Sequence, residues 1–154
     1  MKNNLLLDFI FSGEFGLIDL SFINFLLNDY REIRFDYPEI STDFKFENII
    51  KVLNSNDYVD LAISIDGLFM EDINIKDVFV NLGLNNNKIE LFLFFDITDV
   101  ELESISTKER LFFLNTWAVK FNEKYNFNYF VCKMDNGNEN EYFFDSHGIG
   151  SLLV

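Results

Sequence analysis

Basic residues, cysteine, proline and histidine are all scarce in this sequence. Its 154 residues include 12 Lys or Arg against 26 Asp or Glu, so the formal net charge is −14. A single cysteine, Cys132, excludes an intramolecular disulfide and favours a reducing compartment, so we expect the protein in the cytoplasm. One proline and seven glycines argue against long flexible linkers and repeat arrays.

Long apolar runs are also missing. The longest unbroken runs have four or five residues, which is too short to cross a bilayer. Asp8 interrupts the first apolar segment, so this segment is expected to be a strand and not a secretory signal. The strong negative charge disfavours binding to nucleic acid or to anionic membranes and favours a basic protein partner.

Alternating apolar residues predict most of the strands. They occur over residues 5–11, 58–65, 73–96, 127–134 and 141–147, and the Asn-rich turn Asn85–Asn87 marks a hairpin within the third segment. Helical spacing is found over residues 17–29 and 41–57, with Ser41 or Thr42 as the cap of the second helix. Residues 30–40 are predicted to form a loop with some extended structure.

The segment 107–124 carries the clearest helix pattern. Ser106 and Glu109 predict a capping box at its start. An apolar stripe for packing on the sheet then follows at alternating spacings of three and four: Leu111, Leu114, Ala118, Phe121 and Tyr125. Together the elements predict one α+β domain over residues 1–154, with an antiparallel, curved sheet or sheets of at least five strands packed with two to three helices.

Catalytic and metal-binding patterns are absent from the sequence. Asp145 and His147 can share a strand face, but three consecutive residues that include Ser146 cannot converge as a catalytic triad does. One His and one Cys exclude the common zinc sets, and residues 96–103 do not have the glycine and ligand spacing of a calcium loop. We therefore expect no catalytic residue, no metal and no cofactor.

Acidic residues are concentrated in stretches without a basic residue. Residues 57–72 hold five acids, and two further stretches hold four each. Each stretch is also consistent with a solvated loop, but acids beside aromatic residues suit a surface that binds a basic partner. The first acidic cluster is Asp96, Asp99, Glu101 and Glu103. The second acidic cluster is Asp135, Glu139, Glu141 and Asp145, with Tyr142, Phe144 and His147 beside it. We expect both clusters to contribute to partner binding, the second more strongly.

The last residues resemble a known group of bacterial proteins. Phe144, Asp145, Gly148 and Gly150 form an aromatic-Asp-x-x-Gly-x-Gly ending within about the last 40 residues. This ending and the acidic, Phe- and Asn-rich profile resemble the immunity proteins of polymorphic toxin and contact-dependent growth inhibition systems. The resemblance implies specific inhibition of a cognate toxin domain. The adjacent upstream gene discriminates best between this function and the alternatives, because a large secreted protein with a C-terminal toxin domain would support it. It carries over no residue role.

The toxin implied by this resemblance is a basic nuclease, an RNase or a DNase, whose active site is occluded. Two other functions remain consistent with the sequence: an acidic interaction module or nucleic-acid mimic that binds another basic protein, and a small hydrolase using Asp145 and His147. The identity of the toxin, the mode of inhibition and the oligomeric state are left open by the sequence.

Overall fold

The computed structural model describes residues 5–103 and 105–153, and an antiparallel sheet dominates this part of the chain. Its eight strands lie in the order β2-β3-β4-β5-β1-β6-β7-β8, so the sheet is open, with β2 and β8 at its edges. The strands are β1 (Leu6–Glu14), β2 (Tyr30–Tyr37), β3 (Tyr58–Met70), β4 (Ile73–Asn85), β5 (Lys88–Asp96), β6 (Tyr129–Met134), β7 (Phe144–Asp145) and β8 (Gly148–Ile149).

Three α-helices accompany the sheet in the described residues. They are α1 (Ile23–Leu26), which follows a 3-10 turn, α2 (Phe46–Ser55) and α3 (Thr107–Lys124). The predicted capping box is present at the start of α3, because the Ser106 hydroxyl accepts from the Glu109 backbone N–H and the Glu109 carboxylate accepts from the Ser106 N–H. The predicted α+β class with a curved antiparallel sheet is confirmed.

The helices pack on one face of the sheet. Trp117 and Phe121 of α3 lie over Phe9 and Phe11 of β1, with ring centroids 4.8–5.9 Å apart. The whole predicted stripe of α3 is buried in this core. Burial of these large aromatic side chains adds to the hydrophobic driving force that the aliphatic core supplies.

The β3–β4 hairpin bends halfway along its length. Its buried positions shift by one residue at residues 66–67 in β3 and at Lys76–Asp77 in β4. The pairing of Ile65 with Val78 and of Gly67 with Lys76 keeps the same register, so both strands change face together, whereas a bulge would add a residue to one strand. The bend brings the hairpin tip onto α3, where the Trp117 indole N–H donates to the Met70 carbonyl at 3.2 Å.

The structure differs from the sequence-based expectation at three elements. Residues 30–37 form strand β2, because Ile33 and Phe35 pair with β3 and supply apolar contacts that a loop does not have. The first predicted helix shrinks to a 3-10 turn and four residues of α1. The second begins at Phe46 and its cap residue, Lys45, makes no side-chain cap.

Within residues 5–103 and 105–153, none of the helices is both long enough and apolar enough to span a membrane.

Candidate partner-binding surface

The second face of the sheet points away from the helices. Its side chains alternate with the core residues along each strand and stay half-buried or exposed, apart from the small Ala62. Strand pairing aligns these positions into three rows that we call the uncovered face. The rows are Arg34, Ala62, Asn81, Phe92, Ile10, Val131 and Asp145; then Glu32, Ser64, Phe79, Phe94, Asp8 and Lys133; then Asp60, Gly83, Glu90, Ser12 and Tyr129.

Apolar side chains occupy the centre of the uncovered face. Phe79 is paired directly with Phe94, and Ile10 with Phe92, so these four side chains are cross-strand neighbours. The side chain of Phe79 is 37% exposed although it lies in the middle of the sheet. An antiparallel sheet with one solvated face normally carries polar residues at such positions.

A depression adjoins this apolar centre. It has a volume of about 270 Å³ and lies between Tyr58, Asp60, Asn81, Glu90 and Phe92. The Asn81 side-chain amide donates to the Asp60 carboxylate, which holds both groups in place. Lys88 also lines the depression and lies 3.7 Å from the Glu90 carboxylate, so the carboxylate left for a basic side chain of a partner is mainly that of Asp60, in the same depression as the Phe92 ring.

Acids outnumber bases on the uncovered face. Its rows contain five acids (Asp8, Glu32, Asp60, Glu90 and Asp145) and two bases (Arg34 and Lys133). Arg34 is already engaged by Glu32 at 3.2 Å and by Asp36 at 2.8 Å. The remaining charge of the face is therefore mainly negative.

Asp8 is the most perturbed carboxyl on this face. Burial raises its pKa from 3.8 to about 6, the neighbouring carboxyl of Asp135 adds to the rise, and Lys133 opposes it. Its Oδ1 atom is buried and has no hydrogen-bond partner among the described residues. Asp8 is therefore partly protonated near neutral pH and can accept a further donor.

The first acidic cluster follows β5 in the chain. The Asp96 carboxylate accepts from the backbone N–H of Thr98 at 2.9 Å and so begins the 3-10 turn Ile97–Asp99. Glu101 accepts from the Asn74 side chain at 2.7 Å, and Glu103 is exposed. Two of its four residues thus also serve the local structure.

The second acidic cluster lies in and after the loop between β6 and β7. Asp135 follows β6 and Glu139 is exposed, while Glu141 and Tyr142 are half-buried. The last two strand segments pair with each other as β6 and β7, although β7 has only two residues. Phe144 was expected beside the carboxylates, but it is fully buried against Phe9, 5.5 Å between ring centroids, and cannot contact a partner.

The two clusters meet at one end of the sheet. Leu6 is paired with Asp96 on one side, and its carbonyl accepts from the Asp135 backbone N–H at 3.0 Å on the other. Asp145 and His147 lie elsewhere, because β7 pairs with the middle of β6, where Asp145 faces Val131. The structure therefore places Asp96 and Asp135 on either side of Leu6, away from Asp145 and His147.

Asp145 and His147 are arranged as a turn. Asp145 accepts from the His147 backbone N–H at 2.8 Å and from the Tyr129 hydroxyl at 3.2 Å, so both carboxylate oxygens are engaged. The imidazole is exposed and lies 5.9 Å from the Tyr129 ring. Burial raises the pKa of the Tyr129 hydroxyl, with a further contribution from Asp145. Asp145 therefore holds the backbone of the turn in place, and its carboxylate makes no hydrogen bond to the imidazole ring of His147.

Cys132 is fully buried on the covered face of the sheet, like Phe130 two residues before it. Desolvation raises the pKa of its thiol well above the ordinary value, so the thiolate is disfavoured. Among the described residues, no three His, Cys, Asp or Glu side chains are grouped as metal ligands.

The sequence-based prediction did not include the apolar centre of the uncovered face. A signal was present in the segment 88–96, "KIELFLFFD", where Phe92 and Phe94 occupy the positions opposite the core residues Leu91 and Leu93. A strand that is apolar on both sides is typical of a sheet covered on both faces. Here one of those faces is left for solvent or a partner.

Comparisons with known proteins agree with this architecture. No curated protein matches the chain at a significant level. One structural match is a chain of the crystal structure of the toxic C-terminal tip of CdiA from Pseudomonas aeruginosa in complex with immune protein. Its TM-score is 0.69 at 17% sequence identity, over 97% of this chain and 99% of that chain, which shows a shared fold. The family model of the PABL017 Cdi1I immunity protein matches residues 5–147. This chain belongs to the PABL017 Cdi1I immunity protein family.

Proposed function

We propose that this protein binds the toxic C-terminal domain of a cognate CdiA-type protein and neutralises it. The observation that carries the proposal is the family match, which extends over residues 5–147 and so over nearly all of the described chain. The structural neighbour named above comes from a complex of a CdiA tip with an immune protein, which supports the same partner class.

Neutralisation proceeds by binding, without turnover. The engaged oxygens of Asp145 and the buried, protonated thiol of Cys132 leave these groups poorly suited to acid–base or nucleophilic chemistry. Inhibition then depends on the occupancy of the toxin, and the expected site of action is the cytoplasm.

Co-expression tests the function directly. The cognate toxin domain, which we expect the adjacent upstream gene to encode, is induced in cells with or without this protein, and growth is followed. We expect growth to stop with the toxin domain alone and to continue when this protein is present. Growth arrest in both cultures, with the protein shown to be folded and abundant, rejects the proposed function.

The toxin is further proposed to be a basic nuclease whose active site is occluded. The formal charge of −14 and the acid-rich uncovered face favour a basic partner. Purified toxin domain is expected to degrade RNA or DNA, and this protein is expected to compete with a non-cleavable nucleic acid for it. Simultaneous binding of nucleic acid and this protein to the toxin rules out occlusion.

Charge reversal tests the contribution of the acidic clusters. Glu103 or Glu139, both exposed, is changed to Lys, while Asp96, Glu101, Glu141 and Asp145 are kept because they accept local hydrogen bonds. Both variants are expected to associate more slowly than a matched variant in which Glu39, an exposed acid outside both clusters, is changed to Lys. The difference shrinks with added salt, since the Debye length falls from about 10 Å at 0.1 M to about 3 Å at 1 M. Equal rates for all three variants leave the clusters with a role in solubility only.

The alternative is that the protein is an acidic module that binds a different basic protein. The same negative surface favours it. It predicts that the upstream toxin domain is not bound, whereas a basic protein of the same cell is.

A further inference from the structure

We propose that the uncovered face of the sheet is the surface on which the toxin domain docks, and that the toxin presents there a basic patch with arginine or lysine side chains lying on the phenylalanine rings. This inference rests on the proposed function and adds to it the location of the interface and the chemistry of the partner's surface.

The first argument is the apolar centre of the uncovered face. Phe79, Phe92, Phe94 and Ile10 form one cross-strand group on the side of the sheet away from the helices. Leaving such a group in water has a free-energy cost, and an apolar patch with a polar border is typical of a protein-binding site. Interface centres are enriched in aromatic residues because they bury much area with little loss of side-chain entropy.

The second argument is the charge around that centre. Asp8 lies in the same row as Phe79 and Phe94, and Asp60 lies in the row next to Ile10 and Phe92. The five acids of the face exceed its two bases, although Glu90 already has Lys88 at 3.7 Å. A Lys or Arg side chain can place its aliphatic stem on the phenylalanine rings and its charge against these carboxylates. A neutral or acidic partner would desolvate the carboxylates without compensation.

The third argument is the rigidity of the surface. The central residues are on β1, β4 and β5, which are paired on both sides within the sheet. A rigid surface loses little conformational entropy on binding. The acidic clusters at the strand ends border this surface at Leu6, so they can steer the partner towards it.

One substitution on each side of the molecule tests the location. Phe79→Lys puts a cation and a flexible chain in the apolar centre, where the wild-type ring is 37% exposed. Phe112→Lys is the matched control, because Phe112 is 41% exposed on α3, on the helix side of the sheet. The probe is the purified toxin domain encoded upstream, and binding is measured by titration calorimetry. We expect Phe79→Lys to raise Kd at least about tenfold and Phe112→Lys to change it less than about twofold.

A second measurement covers the case in which Phe79→Lys does not fold. Hydroxyl-radical footprinting of the wild-type protein reports the reactivity of each phenylalanine ring with and without the toxin domain. Protection of Phe79, Phe92 and Phe94 is expected, while Phe112 stays reactive. The proposed location is overturned if the wild-type protein binds the toxin domain while these three rings stay as reactive as before. It is also overturned if the two variants bind with equal Kd values. In both cases the proposed function stands. No binding by the wild-type protein overturns both.

Discussion

Asp145, Gly148 and Gly150 show how single residues shape the last part of the described chain. Asp145 begins a tight turn by accepting from the His147 N–H. Gly148 has φ +142°, a backbone conformation that L side chains rarely adopt, and a Cβ on Gly150 would overlap the carbonyl oxygen of Tyr142. The aromatic-Asp-x-x-Gly-x-Gly ending is thus explained by the geometry of the β7–β8 turn.

Gly150→Ala should destabilise the protein. The added methyl group forces the Tyr142 backbone or ring to move, and overpacking of this kind costs about 1–3 kcal/mol. Gly16→Ala is the control, because a Cβ there meets nothing within 4 Å. Urea unfolding should give a lower midpoint for Gly150→Ala than for Gly16→Ala, and similar midpoints would show that the turn adapts without strain.

Asp8 makes stability depend on pH. Because its folded-state pKa is raised from 3.8 to about 6, the folded state holds the proton more tightly than the unfolded state. The free energy of unfolding is therefore highest below pH 3.8 and falls as the pH rises towards about 6. Above that pH it is lowest, because the buried Asp8 carboxyl is then ionised in the folded state.

Asp8→Asn should remove this cost. We expect an increase in unfolding free energy of about 1 kcal/mol at neutral pH, a modest value because the group is only partly buried. The fall in stability between pH 3.8 and about 6 should flatten. Asp29→Asn, at an exposed position, is the control, and denaturant titrations over this range check both. An unchanged pH profile for Asp8→Asn would falsify the assignment.

At the level of elements, α3 covers the core side of the sheet and buries its apolar stripe there. Leu114 is fully buried in the stripe that faces the sheet, whereas Val119 on the same helix is 50% exposed. Leu114→Asp should abolish soluble folding, because an unpaired charge in the core costs several kcal/mol. Val119→Asp should fold normally. Circular dichroism and soluble yield check the pair, and a folded Leu114→Asp protein would show that α3 is dispensable to the core.

Local signals explain which elements the sequence predicts well. The capping box and apolar stripe of α3 are contained in residues 106–125, so tertiary contacts only reinforce them. Strand β2 has no such signal: four of its eight residues are charged, and only its pairing with β3 fixes it as a strand. The prediction that Phe144 lies beside the acidic residues on the surface is wrong for a similar reason. Pairing of the two-residue strand β7 with β6 directs the Phe144 ring into the core, against Phe9.

The candidate surface likewise combines features that are local in the sequence with features that depend on strand order. The acids of the two clusters are visible in the sequence, but their relation is not, since the meeting of Asp96 and Asp135 beside Leu6 depends on strand order. The apolar centre of the uncovered face likewise requires β1, β4 and β5 to be neighbours. Sequence periodicity indicates that Phe92 and Phe94 share a face, and only the fold indicates that this face is away from the helices.

At the scale of the whole molecule, charge and shape act together. A charge of −14 attracts a basic partner from a distance, and the rigid uncovered face offers an apolar centre for contact. The central claim is that this protein binds the cognate toxin domain. Titration of the purified toxin domain encoded upstream with the purified, folded protein tests it most directly. The predicted result is a saturable complex with Kd below about 1 μM. The absence of any complex at concentrations far above that value, with both proteins folded, would contradict the claim.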